Sequence, residues 1–314
     1  MGSIHDTLEL SSQLSGKTLR IPNLQAIFQH WPSAINTRLA CLRREIDVLL
    51  EKTIDDERKL NALKFCDFAL LTCCISLYPQ AKWEELRTAG IFMLWIFLWD
   101  DEIDDGGTLI AHSESAANSY CQDSLEYARL ALGLNTTDES VFQNQDFQNM
   151  QCPVSTMLYF RDACEVLRTV MDSGQRNRLF RELQSYMIWT TKEQVARESG
   201  QILKPDQHLE LRNWTSGIYP VIAIFEFITQ GKLDESLIES EDMKVIWTET
   251  CFLCMLINDI HSAKKELTSG SMLNVVPILF HADQGNNLDD VMEILVGKLT
   301  LDISIFVVPL LHGY

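Results

Sequence analysis

Residues 91–105, IFMLWIFLWDDEIDD, limit what this chain can fold into more than any other stretch. Fifteen residues without Pro or Gly, preceded by Lys82, Glu84, Glu85, Leu86 and Arg87, fit the inner half of a long helix. A helix advances about 100° per residue, so Asp100 and Asp104 share one face, while Asp101 and Asp105 share the face beside it. Carboxylates that close repel one another, and a cation relieves the repulsion. With oxygen ligands and neither His nor Cys alongside, Mg²⁺ is the first choice. An acidic helix end fraying into solvent has the same composition, and the stretch alone leaves both readings open.

A chain of 314 residues is long enough for one large domain or two modest ones, each with a sizeable core. With 46% hydrophobic and 22% charged residues, the composition is that of a soluble globular protein. The net charge of −18 argues against a nucleic-acid backbone or an anionic membrane surface as the main partner. An anionic small substrate requires metals or a few cations to invert the local field. Nine cysteines scattered through apolar stretches suit a reducing compartment better than a disulfide framework. Cys251 and Cys254 form a CxxC with no second pair at zinc spacing, and read as core thiols. The start of the chain lacks the charged, apolar and small-residue sequence of a secretion signal. Asp6 stands where myristoylation of Gly2 needs Ser or Thr. The longest apolar run, Ile91 to Trp99, is too short for stable membrane insertion. A soluble, cytoplasmic protein is the expectation.

Residues 1–32, with Pro22 and Pro32, read as an irregular arm. Apolar residues at helical spacing then predict helices from Ser33 to Leu50 and from Glu57 to Leu77. The opening element follows, stopped by Gly106 and Gly107, and then a helix over Ser113–Leu132. Asn135 to Pro153, rich in Asn, Gln, Thr and Asp, is the best interior loop candidate. Helices are predicted again over 153–171, 175–198, 207–214, 218–228, 242–266, 272–281 and 288–308. No period-2 strand, internal repeat or glycine-rich phosphate loop emerges. The fold class is all-α, with one helical domain over 33–314.

A second group of polar residues closes the helix predicted over 242–266. Asn258, Ser262 and Glu266 are spaced four apart twice, a face that drifts only about 80° over two turns. An amide oxygen, a hydroxyl and a carboxylate make an oxygen-only ligand set suited to Mg²⁺ with substrate phosphates. A solvated polar face is the competing reading for each residue taken singly. These groups begin, however, where the apolar run of Phe252, Leu253, Met255, Leu256 and Ile257 ends.

Together the two groups resemble the metal motifs of a class I terpene synthase of the fungal sesquiterpene cyclase type. Asp100, Asp101 and Asp104 match its DDxxD motif, and Asn258, Ser262 and Glu266 match its NSE motif, NDxxSxxKE. EQVARESG and HLELRNWTSGIYP resemble its EQxxRExG and YLxLRRxTSG blocks, and all the matches fall in the family's order. The resemblance implies a helical bundle around a central apolar cavity. It also implies three Mg²⁺ ions on those six residues, and farnesyl diphosphate cyclised with release of diphosphate. Arg212 matches the diphosphate sensor, Thr215 and Ser216 the linker and effector positions, and Lys265 a second diphosphate contact. Phe92 and Trp95, one to two turns before Asp100, are the aromatics selected as cavity lining for a carbocation. A homodimer is a further family-level expectation. The family's final helix and its Arg-Tyr clamp have no match, because no Arg follows Arg212. Weak or altered activity is therefore expected, and a non-catalytic isoprenoid-binding protein is the alternative. Chain-elongating prenyltransfer fits less well, since it uses two aspartate-rich motifs.

Overall fold

Long runs of helix formers with apolar residues every third or fourth position can satisfy their backbone only locally, and they bury one face against each other. In the computed structural model, which describes residues 4–31, 33–74, 78–104, 108, 110–134, 152, 154–282 and 287–311, every regular element is helical. In chain order the helices are α1 (Ile4–Leu14), α2 (Leu39–Thr53), α3 (Glu57–Cys66), α4 (Phe68–Cys74), α5 (Trp83–Asp104), α6 (Glu114–Ala131) and α7 (Met157–Val170). They continue as α8 (Ser173–Glu198), α9 (Pro205–Thr215), α10 (Ile218–Ala223), α11 (Phe225–Thr229), α12 (Glu235–Ile238), α13 (Glu241–Ser269), α14 (Val275–His281) and α15 (Leu288–Leu311). There is no strand among the described residues, as expected for the all-α class. The loop expected over 135–153 lies almost entirely outside them, as do Asp105, Gly106 and Gly107. None of these helices is long and apolar enough to cross a membrane.

Where the sequence suggests one domain behind an arm, contacts gather the chain into two compact units. One comprises residues 32–188 and 220–232 and the other residues 1–31, 189–219 and 233–314. The first is built around α5, which is buried on nearly every side from Leu86 to Trp99. Gly90 costs such a helix about 1 kcal/mol relative to Ala. It allows α2 to come close, since a Cβ there would lie 2.8 Å from Leu42 Cδ1. The helix expected over 57–77 is broken at Asp67, whose φ of 48° is left-handed, a conformation that a short polar side chain tolerates. Arg43 fastens the break through Nη2 on Asp67 Oδ2 (2.6 Å) and Nε on Oδ1 (3.1 Å), and Leu70 N–H donates to Oδ1 as α4 begins.

The second unit corrects the expectation of an irregular N-terminal arm. Residues 4–14 are helical, and Leu10, Leu14 and Leu24 enter a core with Leu253, Leu256, Ile260, Val276, Leu295 and Leu299. Leu10 and Leu14, one turn apart, form a narrow apolar stripe that the surrounding polar residues mask in a linear reading. Thr7 Oγ1 donates to the Gly200 carbonyl at 2.5 Å and fixes α1 to the end of α8. The long helix α13 starts at Ser240, whose hydroxyl accepts from Met243 N–H, and ends at Gly270 with φ 88°.

Candidate active site

Asp100 and Asp104 occupy the last turn of α5, which carries no basic residue. Carboxylates at the carbonyl end of a helix add charge of the same sign as the helix dipole, so the site favours a cation twice over. Asp100 is half-buried, whereas Asp101 and Asp104 are exposed. Tyr186 Oη donates to Asp100 Oδ1 at 2.8 Å, and its own buried ring lies 5.5 Å from that of Trp99. One carboxylate oxygen is thereby held in a set direction.

Phe92 and Trp95 have no exposed surface at all. Trp95 packs 4.5 Å from the Phe160 ring and 5.3 Å from Phe92, and its Nε1–H points at Met157 Sδ, 3.3 Å away. Helix α7 covers this side of α5, so both rings face packed neighbours. A different aromatic row runs through the other unit. Trp189 stacks on Trp214 at 6.3 Å, Trp214 meets Tyr219 at 5.3 Å, and Tyr219 meets Trp247 at 6.2 Å. Its three tryptophans are only half-buried.

On α13 the expected ligands sit as their spacing predicts, with Asn258 exposed and Ser262 and Glu266 half-buried. Asn274, wholly buried at the N-cap of α14, anchors Ser262 and Glu266. Its Nδ2 donates to the Asp259 carbonyl at 2.8 Å and to Glu266 Oε2 at 2.9 Å, with Ser262 Oγ at 3.4 Å. Its Oδ1 accepts from Val276 N–H, so the start of α14 fixes the amide.

Arg212 reaches the same place from α9. Its Nη2 donates to Asp259 Oδ1 at 3.2 Å and to Asn258 Oδ1 at 3.3 Å, and Nη1 lies 3.9 Å from Glu193 Oε1. Asp259 is 1% exposed, and its Oδ2 accepts from His208 Nε2 and from Val275 N–H, each at 3.0 Å. Burial by itself pushes the Asp259 carboxyl up, but Arg212, His208 and the Val275 amide together hold it below the usual carboxylate range. Thr215 is buried, and its hydroxyl has no hydrogen-bond partner among the described residues. Ser216 Oγ lies 3.1 Å from Cys251 Sγ and accepts from Ile218 N–H at 3.4 Å, just before Gly217 turns left-handed with φ 72° and separates α9 from α10. Burial pushes the Cys251 thiol up to about 12, which suits an inert core position. Lys265 is exposed.

The donors fit a hard divalent cation. Among the described residues no three His, Cys, Asp or Glu side chains converge into a cage of their own. The available set is amide, hydroxyl and carboxylate oxygen, which suits an ion that completes its shell with water and substrate oxygens. The Asp100 group belongs to one unit, and Arg212 with the Asn258 group to the other. Tyr186, His208, Asp259 and Asn274 were not singled out from the sequence. Asp259 lies inside the NDxxSxxKE string and His208 one turn before Arg212, so both carried a signal. Asn274 offered only an N-cap residue ahead of VVPIL, and Tyr186 offered nothing.

Residues 92–300, more than half of the chain, match the family described as terpene synthase family 2, C-terminal metal binding. The chain is 28% identical over 274 residues to sesquiterpene cyclase hepA of Aspergillus oryzae, covering 87% of this chain and 72% of that one. It is 27% identical over 263 residues to terpene cyclase braA of Annulohypoxylon truncatum, covering 83% and 67%. Among solved structures, a linalool/nerolidol synthase from Streptomyces clavuligerus in complex with 2-fluorogeranyl diphosphate superposes with a TM-score of 0.70 at 20% identity, over 88% of this chain and 84% of that one. With its all-helical fold and a family match over residues 92–300, this chain belongs to terpene synthase family 2, as an all-α terpene cyclase that uses a divalent metal.

Proposed function

We propose that this cyclase ionises farnesyl diphosphate with Mg²⁺ and cyclises the resulting cation, releasing diphosphate. The observation that carries the reading is the contact of Arg212 with Asn258: a guanidinium, the side chain best shaped for phosphate oxygens, touches the first oxygen of the expected ligand helix. Asp100, Asp101 and Asp104 on α5 and Asn258, Ser262 and Glu266 on α13 would hold three ions. Bound there, Mg²⁺ supplies Lewis-acid neutralisation of the departing diphosphate. Arg212 and Lys265 add positive charge where the leaving group becomes more negative. Thr215 and Ser216, at the break before Gly217, place backbone that can shift when diphosphate binds. Phe92 and Trp95 are the aromatic faces assigned to the cation, and Trp214 and Trp247, which keep exposed surface, are further faces able to meet one. The released diphosphate is the base for the closing proton loss.

The choice of a C15 substrate is supported by the sesquiterpene cyclase name of a relative covered over most of its length. The test is incubation with farnesyl diphosphate and Mg²⁺, followed by analysis of volatile products. Cyclic hydrocarbons or alcohols are expected. A longer prenyl diphosphate would instead assign chain elongation, preference for geranyl or geranylgeranyl diphosphate would overturn the C15 assignment, and diphosphate release without added metal would overturn the Mg²⁺ assignment.

A further inference from the structure

Three helices meet on one buried carboxylate. Asp259 receives Arg212 and His208 from α9 and the Val275 N–H from the start of α14, while sitting next to Asn258 on α13. His208 has no exposed surface and Asp259 has almost none, so neither can touch a substrate directly. Arg212 is different: its side chain keeps 16% of its surface exposed, and its Nη2 is shared between Asp259 Oδ1 and Asn258 Oδ1.

We infer that His208 and Asp259 are positioning residues: they hold the Arg212 guanidinium beside Asn258, so that the diphosphate contact and the first ligand of α13 form one preset unit. A free arginine side chain loses rotamer entropy when it is fixed. Fixing it in the folded protein removes that cost from binding. The geometry suits this task. His208 and Arg212 are four residues apart on one face of α9, so a single carboxylate reaches both. His208 Nε2 and the Val275 amide saturate Oδ2, which leaves Oδ1 turned toward the guanidinium. The Asp259 carbonyl is in turn held by the Asn274 amide that also holds Glu266, so the hub shares its support with the far end of the ligand helix.

The inference rests on the reading of Arg212 as a diphosphate contact, and the experiment separates the two. Calorimetric binding of inorganic diphosphate with excess Mg²⁺ is measured on the full chain and on variants, each checked for helical content and Tm. Arg212→Ala is expected to weaken binding by about 10–100-fold. His208→Leu is expected to weaken it by about 10-fold, with KM for farnesyl diphosphate rising while Tm changes little beyond the loss of one hydrogen bond. His208→Gln, which can still present an N–H to Asp259, should stay within about 3-fold of the parent. The double variant Arg212→Ala/His208→Leu should bind no more weakly than Arg212→Ala alone, because the histidine acts through the arginine. Asp259→Asn should behave as His208→Leu does; if it does not fold, the histidine pair decides. Additive losses in the double variant, or parent-like binding by His208→Leu, would overturn the positioning role and leave the Arg212 reading standing. Parent-like binding by Arg212→Ala would overturn both.

Discussion

The two proposed ligand groups are built in opposite ways. The carboxylates ending α5 stand at the negative pole of their helix, two of them exposed, with Tyr186 on Asp100 as an identified anchor. The proposed ligands of α13 stand inside a helix that continues to Ser269. They rest on buried Asn274, Asp259 and His208 and on partly exposed Arg212. The first group places carboxylates at the negative end of a helix, where a cation is favoured; the second has Glu266 and Asn258 held by hydrogen bonds from Asn274 and Arg212. The contrast separates an electrostatically loaded half of the proposed ligand set, at a helix end, from a preorganised half within a helix, and each half should fail differently when altered.

The largest expected effect is common to both halves. Asp100→Ala and Asn258→Ala should each lower turnover by at least about 100-fold with helical content by circular dichroism intact. Loss from only one of them would break the view that both halves serve one reaction. Next in size is an effect on stability that separates the sealed aromatics from the half-buried row. Trp95→Ala should cost about 3–5 kcal/mol in denaturant unfolding, whereas Trp214→Ala should cost less and change the product ratio. A product change from Trp95→Ala in protein that remains folded would bear out its assignment to the cation.

Asn274→Ala tests the preorganised half. It removes the amide shared by Glu266 and the Asp259 carbonyl, so the Mg²⁺ concentration for half-maximal turnover should rise about 10–100-fold, with a stability loss of about 1–3 kcal/mol. Tyr186→Phe makes the corresponding change on the loaded half, where it removes the hydrogen bond to Asp100 Oδ1. A shift in Mg²⁺ requirement of about 2–5-fold is expected, smaller than for Asn274 by the same titration. Equal shifts would erase the contrast between the halves.

The smallest effect concerns a carboxylate pair that lies on α13 and α15 but away from the ligands. Glu249 Oε2 and Asp302 Oδ2 are buried without hydrogen-bond partners among the described residues, and Lys298 Nζ lies 3.6 Å from Asp302 Oδ1. Burial pushes both carboxyls up, their mutual repulsion raises Glu249 further, and Lys298 opposes the rise at both. Their folded values exceed the unfolded ones, so protonation favours the fold. The penalty is felt above the raised values and relieved as pH falls through them. Glu249→Gln should therefore raise Tm by about 1–2 °C at neutral pH, and the gain should vanish when melting is repeated in the acid range of carboxylate titration.

Much of this was legible in the chain. The period of α5 and α13 placed Asp100 with Asp104 and Asn258 with Ser262 and Glu266 before any coordinates, because spacing on a helix is fixed by its geometry. Asp105 lies outside the described residues, so its place beside Asp101 stands as a reading of spacing alone. The apolar stripe of α1 was missed because two leucines among polar neighbours carry little signal. The break at Asp67 was missed because a left-handed residue held by Arg43 depends on a contact 24 positions away.

The sequence by itself determined the class of fold, the helical faces and the oxygen-only chemistry of both motifs, since each follows from short-range periodicity and residue type. Tertiary structure decided which groups those faces meet. Phe92 and Trp95 pack against Phe160 because α7 lies along α5, Asp259 became the partner of Arg212 because α9 crosses α13 there, and Asn274 became the support of Glu266 because α14 begins beneath it. Such pairings join residues far apart in the chain, and packing fixes them where local propensity cannot.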